Sequence, residues 1–440
     1  MPVSYVGALR GLSRNVRLVL LAVGLQGFSV AGIYAVLLNL FLLRLGYGPE
    51  FVGLVNGSGL AASALFCLPA SAMGRRWGSR QAMMIGVLLT ALGYAALPLT
   101  RLLPPAAVPA ALISAYLTAN LGGALRAVNV IPYLMGAARP EARSHAFSLD
   151  HAITPGSAFL GSLVGGLLPS LFAARLGQDL SSPAPYGAAL LVGAVCLLPA
   201  AIALTAARDI EDVRQPSTGG RAPSSPGSPM PLGLMLIMAL VLMIRVAGDR
   251  SVSIYFNVYM DDFLGLPTPL IGTITAAGQL LAIPAALTAP LLTGRLGNGK
   301  TYALAALGMS LSLLPLALVP TWQAAAFSYI GLMTLISVAR PAVIVHQQSL
   351  VTPEWRSTMA GIQQMGVAIG SSSVAYAGGY LASAHGYRAV FLMGAALVAA
   401  GAGLFWAYFR IPRGELAREQ AAEPALPAMP GPIAAGREGS

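Results

Sequence analysis

The sequence predicts an all-α membrane protein that crosses the bilayer twelve times, as two pseudo-symmetric six-helix bundles around a central cavity. Three observations support this fold class. The chain carries little charge, it contains twelve apolar segments of membrane-spanning length, and its two halves repeat one another.

The composition excludes an ordinary soluble protein. Hydrophobic residues make up 56% of the 440 residues and charged residues 9%, whereas soluble domains carry about 25% charged residues. Most of the surface must therefore contact lipid. A net charge of +11 would suggest a nucleic-acid partner for a soluble protein. Here the basic residues lie in loops between apolar segments, which predicts a lipid bilayer as the partner and no nucleic acid.

The twelve apolar segments reach the length of about 20 residues that a helix needs to cross the hydrocarbon core. They cover residues 16–43, 50–73, 81–102, 107–136, 145–173, 186–207, 231–262, 269–293, 301–320, 322–350, 357–384 and 388–410. The first follows a basic N-terminus, as in a signal peptide. It is too long for that role and no small-residue cleavage site follows it, so we predict that it is retained.

The basic residues predict the orientation. With the N-terminus in the cytoplasm, 18 of the 26 Lys and Arg residues lie on the cytoplasmic side and 4 on the opposite side. Cytoplasmic loops of membrane proteins carry such an excess of positive charge. We therefore predict a multi-pass protein of a bacterial-type cytoplasmic (inner) membrane, with both termini in the cytoplasm.

Polar breaks divide the chain into five regions. The stretch after Asp209 is rich in Pro, Ser and Gly, which is typical of a flexible linker, and the Pro/Ala/Gly-rich C-terminus is typical of a disordered tail. The predicted regions are a cytoplasmic N-terminus (1–15), a first bundle (16–208), a linker (209–230), a second bundle (231–410) and a cytoplasmic tail (411–440).

The two halves contain matching residues in the same order. The matches include Gly53 with Gly272 and Arg76-Trp77-Gly78 with Arg295-Leu296-Gly297, at an offset of 219 positions, and Gly165-Gly166 with Gly378-Gly379 at 213. Duplicated bundles of this kind are typical of transporters whose site lies between the halves, near the midplane of the membrane.

The stretch from Ser71 to Arg80 reads SAMGRRWGSR. It resembles the loop motif of the major facilitator superfamily, Gly-x-x-x-Asp-Arg-x-Gly-Arg-Lys. The residues that match in this loop and in its copy after the eighth segment are Arg76, Gly78, Arg80, Arg295, Gly297 and Lys300. The resemblance covers roughly residues 15–410 and implies a twelve-helix secondary transporter, not an enzyme, that moves a small solute by alternating access.

The resemblance also implies that these six residues form cytoplasmic gate loops, because the family uses this motif to latch the cytoplasmic side. Arg75 replaces the aspartate of the motif and Gly294 stands at that position in the second copy. We therefore expect no latch of the usual form. The alternative is that the basic residues set topology alone.

Three other sequence patterns are weak indicators of function. Residues 294–301 match a phosphate-binding P-loop letter for letter, but an apolar helix precedes them instead of a strand, so we predict no ATP binding. Residues 161–166 resemble the family's antiporter motif with Ser162 in place of proline, but the Gly-Gly pair recurs in the eleventh segment, which favours close packing of small residues instead. Cys67, Cys196 and the four His lie on scattered segments, which predicts no metal and no cofactor.

Charges inside a membrane are costly and usually functional. Those predicted inside the helices are Arg126, Asp150, Arg245, Asp249, Arg250 and Arg340. Arg245 and Asp249 are four residues apart on one helix, which predicts an ion pair. Asp249 is also the candidate proton carrier, but its two neighbouring arginines argue against easy protonation and favour a structural ion pair. Arg126 and Asp150 lie at comparable depths on neighbouring antiparallel helices, which predicts a second pair.

The repeat predicts an asymmetry between the halves. Arg126 corresponds to Arg340 within one position, whereas Asp150 corresponds to Gln363. An arginine without a counter-charge attracts carboxylate or phosphate. We therefore predict that an organic anion is the substrate, bound by Arg126, Arg250 and Arg340 with the polar residues Gln26 and Asn257. The alternative is that these arginines are structural and bond polar groups of neighbouring helices.

Other functions remain open at this point. A proton-coupled multidrug exporter of apolar or cationic compounds suits the 16 methionines and the apolar helices, but the shortage of acids in the membrane argues against cations. A lipid flippase or a membrane enzyme is the alternative of another class, and we find no cluster of acid, base or metal groups for an enzyme. We predict a monomer that carries a small solute, with or without protons, and uses no ATP.

Overall fold

The structure is a computed structural model that describes residues 13–138, 143–208, 230–352 and 355–411. These residues form helices joined by short turns, and no strand occurs among them. Most of the predicted N-terminal region, nearly all of the predicted linker and nearly all of the predicted tail lie outside the described residues, as do the loop positions 139–142 and 353–354.

Twelve long helices follow one another in this part of the chain. They are α1 Arg14–Arg44, α2 Pro49–Trp77, α3 Ser79–Leu99, α4 Val108–Ala137, α5 Arg143–Leu176, α6 Pro183–Ala206, α7 Leu232–Phe263, α8 Thr268–Leu296, α9 Asn298–Leu318, α10 Trp322–Ser349, α11 Arg356–His385 and α12 Tyr387–Phe409. Each covers one of the predicted segments, with ends shifted by a few residues. The all-helical membrane fold is confirmed.

Eleven of these helices are long and apolar enough to cross a membrane, and α11 is the exception. Its 30 residues contain the polar or small runs Gln363-Gln364, Ser371-Ser372-Ser373 and Gly378-Gly379. The composition follows from its place in the fold, because α11 packs against α2 of the first bundle and α7 of the second. Small residues let helix backbones approach closely in such contacts.

The helices alternate in direction, so the helix ends lie on two opposite sides of the molecule. We call the side where α1 begins the Arg14 side, and the side where it ends the Arg44 side. The breaks after α2 and α8 lie on the Arg14 side, where Gly78 and Gly297 have φ of +88° and +79°. Only glycine adopts this conformation without strain, which explains why the glycine recurs in both halves.

The two bundles contact each other through α2 with α11 and through α5 with α8. On the Arg44 side these contacts are made by backbone. A Cβ atom added to Gly272 of α8 would lie 2.7 Å from Cα of Gly166 in α5. A Cβ atom added to Gly53 of α2 would meet the carbonyl of Ala375 in α11 and lie 2.6 Å from the Tyr255 hydroxyl in α7. Four of the glycines matched by the repeat therefore lie at the interface between the bundles, namely Gly53, Gly166, Gly272 and Gly379.

Every hydrogen bond that joins the two bundles within the described part of the chain lies on the Arg44 side. These bonds run from Asn39 to Ile254, from Asn257 to Ala35 and Val36, from Arg44 to Asp261, between Tyr186 and Thr268, from Ser372 to Gly57 and from Ser383 to Glu50. In their Arg14-side halves, α2, α8 and α11 instead expose large apolar side chains such as Leu68, Leu287 and Met365. The space between the bundles is therefore closed at the Arg44 side and open towards the Arg14 side.

Candidate functional site

Arg250 lies in the space between the two bundles. One turn further along α7, the backbone oxygen of Ile254 accepts a hydrogen bond of 2.8 Å from Asn39 of α1, so this part of α7 is directed towards the first bundle. Arg250 interacts electrostatically with Tyr116 on α4 and with Arg340 on α10. Its guanidinium group therefore lies near helices of both bundles.

Arg250 and Arg340 form an uncompensated pair of positive charges. Both residues are exposed, and neither guanidinium group makes a hydrogen bond or an ion pair with another described residue. The acidic group that acts on Arg250 is Asp249, and its carboxylate is already bound to Arg245. Arg250 and Arg340 repel each other, so the cavity carries an excess of positive charge at this point.

Arg245 and Asp249 form a buried ion pair inside the second bundle. Arg245 Nη1 donates to Asp249 Oδ2 and lies 3.8 Å from Met309 Sδ of α9. The guanidinium group also lies 6.0 Å from the ring centre of Tyr302, and the Arg245 backbone packs against Gly401 of α12. The pair is thus enclosed by α7, α9 and α12 and directed away from the first bundle. Asp249 Oδ1 and Arg245 Nε are buried without a hydrogen-bond partner among the described residues.

Arg126 and Asp150 lie near each other in the first bundle. Arg126 of α4 is half-buried, and the carboxylate of Asp150 in α5 attracts it. At the position of α11 equivalent to Asp150, Gln363 is 3% exposed, and its Nε2 has no hydrogen-bond partner within the described segments. The first bundle therefore offsets its arginine with an acid, and the second has a neutral amide at the equivalent position.

The two predicted polar residues have different surroundings. Asn257 donates to the Ala35 carbonyl of α1 at 2.8 Å, and its own oxygen lies 3.5 Å from Thr275 Oγ1 of α8. It therefore helps to join the bundles at the closed Arg44 side. Gln26 is 7% exposed within α1, and its Oε1 has no hydrogen-bond partner in the described part of the structure. Roles for both residues in substrate binding remain predictions.

A chain of hydrogen-bonded polar side chains lies beside Arg250. The sequence analysis did not predict it. The Tyr116 hydroxyl lies 3.4 Å from Asn56 Oδ1, and Asn56 Nδ2 donates to Asn39 Oδ1 at 2.9 Å. Through the bond from Asn39 to Ile254, the chain connects α4, α2, α1 and α7. Tyr116 resembles any tyrosine of an apolar helix, so only the packing of the helices reveals this role.

The predicted gate loops have the repeated turn but little contact across the bundles. Arg80 lies within 3.5 Å of the carbonyls of Leu204 and Thr205 at the end of α6, in its own bundle. Basic groups near the last carbonyls of a helix interact favourably with its dipole. Arg76, Arg295 and Lys300 are exposed. The function of these loops as gates remains a prediction.

The described residues contain no cluster of three or more His, Cys, Asp or Glu that could hold a metal ion. Guanidinium groups and a chain of polar side chains lie between the bundles. Such groups bind and orient an anion without covalent chemistry.

Comparison with known proteins decides the family. The sequence profile of the Major Facilitator Superfamily matches residues 19–372. The chain belongs to this superfamily. The predicted resemblance is confirmed, and the two-bundle fold follows from it. No curated protein sequence matches the chain.

Solved structures of superfamily transporters have the same fold. The nucleoside transporter NupG superimposes with a TM-score of 0.72 at 16% identity, over 90% of this chain and 100% of that one. The inward-open xylose transporter XylE from E. coli gives 0.72 at 13%, over 92% and 98%. A bacterial homologue of the human lysosomal transporter Spinster, inward-facing and occupied, gives 0.66 at 14%, over 90% and 96%. At these identities the likeness shows the fold alone.

Membership of the superfamily indicates a multi-pass membrane transporter. The identity of the transported solute depends on the residues of this chain that line the space between the bundles.

Proposed function

We propose that this transporter carries a small organic anion by alternating access, and that Arg250 and Arg340 bind the anion between the bundles. The observation that supports this proposal is the pair of exposed guanidinium groups, which repel each other and have no ion-pair or hydrogen-bond partner among the described residues. Guanidinium groups offer donors in a planar fork that matches carboxylate and phosphate. An anion between them removes their repulsion and gains charge-assisted hydrogen bonds.

The alternative that these arginines are structural has less support. A structural arginine in a membrane protein pairs with an acid or with backbone carbonyls, as Arg245 does with Asp249. We assign Asp249 to the structural ion pair, because Arg245 holds it inside the second bundle. Arg126 remains a secondary candidate for substrate binding, since Asp150 already offsets part of its charge.

The closed Arg44 side and the open Arg14 side define one state of the transport cycle. With the predicted orientation, in which both termini are cytoplasmic, this state faces the cytoplasm. Release to the other side then requires the contacts on the Arg44 side to separate, including the ion pair between Arg44 and Asp261. The direction of net transport depends on the coupling ion and its gradient.

Thermal unfolding of the purified protein with a panel of ligands tests the proposal. A ligand present at about 100 times its dissociation constant stabilises the folded state by about 2.7 kcal/mol. We expect organic anions to raise the unfolding temperature, and we expect the Arg250→Gln/Arg340→Gln double variant to lose the shift. Arg388 is exposed at the start of α12, so Arg388→Gln is the matched control and should keep the shift. Stabilisation by cationic or apolar drugs instead would favour the multidrug exporter.

A further inference from the structure

A second cavity lies between α1 and α5 on the open Arg14 side, with a volume of about 600 Å³. Its lining is apolar except at the mouth and at one position along α5. The residues from α1 are Arg17, Leu20, Leu21, Gly24, Leu25 and Phe28. Those from α5 are Leu149, Ile153 and Ser157, which are spaced four residues apart and form one line along the helix.

Arg17 stands at the mouth of this groove. It lies three residues from the start of α1, is exposed, and its guanidinium group has no hydrogen bond or ion pair with any other described residue. From Arg17 to Phe28 the groove follows α1 for roughly 16 Å, at about 1.5 Å per residue. Half of a hydrocarbon core about 30 Å thick has the same depth. The groove therefore matches one extended acyl chain with an anionic group at its end.

We propose that the groove between α1 and α5 binds a single-chain amphiphilic anion, a long-chain alkyl carboxylate, with its carboxylate on Arg17 and its chain along Leu21, Ile153 and Phe28. The α5 wall of the groove is a single line of residues, which favours a single chain over a two-chain lipid. The volume lies within the range of about 300–1,000 Å³ that is usual for ligand sites. The site does not depend on Arg250 or Arg340, so it stands apart from the proposed transport of small anions.

Equilibrium binding of tritiated palmitate to the full chain in nanodiscs of neutral phosphatidylcholine tests this site. We expect saturable binding that weakens at least tenfold in Arg17→Gln. Arg410 is an arginine exposed at the Arg14-side end of α12, so Arg410→Gln is the matched control and should bind as the unmodified protein does. Shorter carboxylates should bind progressively more weakly, because each buried methylene contributes to affinity. Palmityl alcohol, which lacks the charge, should compete poorly.

A variant that fills the groove separates binding from folding. Leu21 lines the groove and is 52% exposed, so Leu21→Trp should abolish palmitate binding while the unfolding temperature and the small-anion stabilisation remain. The Arg250→Gln/Arg340→Gln variant should still bind palmitate, so failure of one site is distinguishable from failure of the other. Unchanged binding in both Arg17→Gln and Leu21→Trp would overturn the proposal. Displacement of palmitate by a stoichiometric amount of two-chain phosphatidylglycerol would also overturn it, since the groove would then hold membrane lipid.

Discussion

The first and second bundles share backbone geometry and differ in charge. Gly53 of α2 and Gly272 of α8 occupy equivalent positions in the repeat, and each contacts the opposite bundle on the Arg44 side. The turns at Gly78 and Gly297 have nearly the same conformation. The repeat is therefore kept where the bundles must close against each other.

The charges do not follow the repeat. In the first bundle, Asp150 attracts Arg126. In the second, Arg250 and Arg340 repel each other and are exposed to the cavity. Under the function proposed above, the symmetric backbone supports the movement between states, and we propose that the asymmetric charge of the second bundle selects the substrate.

The largest expected effect concerns the buried ion pair of the second bundle. Asp249→Asn or Arg245→Met removes one partner and leaves the other buried and unpaired, which costs about 3–5 kcal/mol in comparable cases. We expect a loss of that order in the free energy of unfolding, measured by titration with sodium dodecyl sulfate. The Arg245→Met/Asp249→Leu double variant should recover most of the stability and retain transport. Loss of transport in a well-folded double variant would instead assign Asp249 to proton coupling.

The next largest effect is expected on anion affinity, at the two arginines that occupy equivalent positions in the repeat. Arg340→Gln removes a charge-assisted bond to the anion, which is worth about 1.5–3 kcal/mol, so the dissociation constant should rise roughly ten- to hundredfold. Arg126→Gln should weaken binding less, because Asp150 already offsets its charge. Isothermal titration calorimetry with the stabilising anion measures both variants. A larger loss in Arg126→Gln would place the substrate in the first bundle.

Closure of the Arg44 side should be sensitive to a single methyl group. Gly272→Ala places a Cβ atom 2.7 Å from backbone atoms of α5, and overpacking of this kind costs about 1–3 kcal/mol. The closed state should therefore lose population and transport should slow. Gly123→Ala is the control, since no neighbouring atom lies within 4 Å of a Cβ atom at that position. Labelling of Thr268→Cys by an impermeant thiol reagent should increase in the Gly272→Ala background and not in the control.

The smallest effect on transport is expected at the ion pair between Arg44 and Asp261, at the Arg44-side ends of α1 and α7. Arg44 and Asp261 join α1 to α7 at 2.7 Å, and the Arg44 side chain is 21% exposed. The pair is bidentate and partly buried, since the Asp261 side chain is 6% exposed. Asp261→Asn keeps an amide oxygen that accepts from Arg44, so the loss should stay near the value of about 0–1 kcal/mol that is usual for exposed ion pairs, which weaken with salt. Asp261→Asn should change the rate of transport by less than about fivefold, and the difference should shrink at high ionic strength. A complete loss of transport would show that this pair controls closure by itself.

The sequence predicted the helices well, because apolar length and polar breaks are local properties. The predicted segments did not set α11 apart, although its polar and small residues are visible in the sequence, and only the fold shows that it packs between α2 and α7. The pair of Arg245 and Asp249 was predictable because both lie on one helix. The proximity of Arg250, Arg340 and Tyr116 could not be predicted from the sequence. It depends on how three helices of the two bundles are rotated about their axes. The same dependence brings Asn257 to the backbone of α1 at the closed side.

Uptake by proteoliposomes tests the central claim most directly. The vesicles contain the unmodified protein, the Arg250→Gln/Arg340→Gln variant or the Arg388→Gln control, and they are supplied with the radiolabelled anion that stabilises the protein. Our account predicts saturable uptake by the unmodified protein and the control, and uptake at the level of empty vesicles for the double variant. Anion uptake at the full rate by the double variant would contradict it, as would transport of cationic drugs with no anion transport by the unmodified protein.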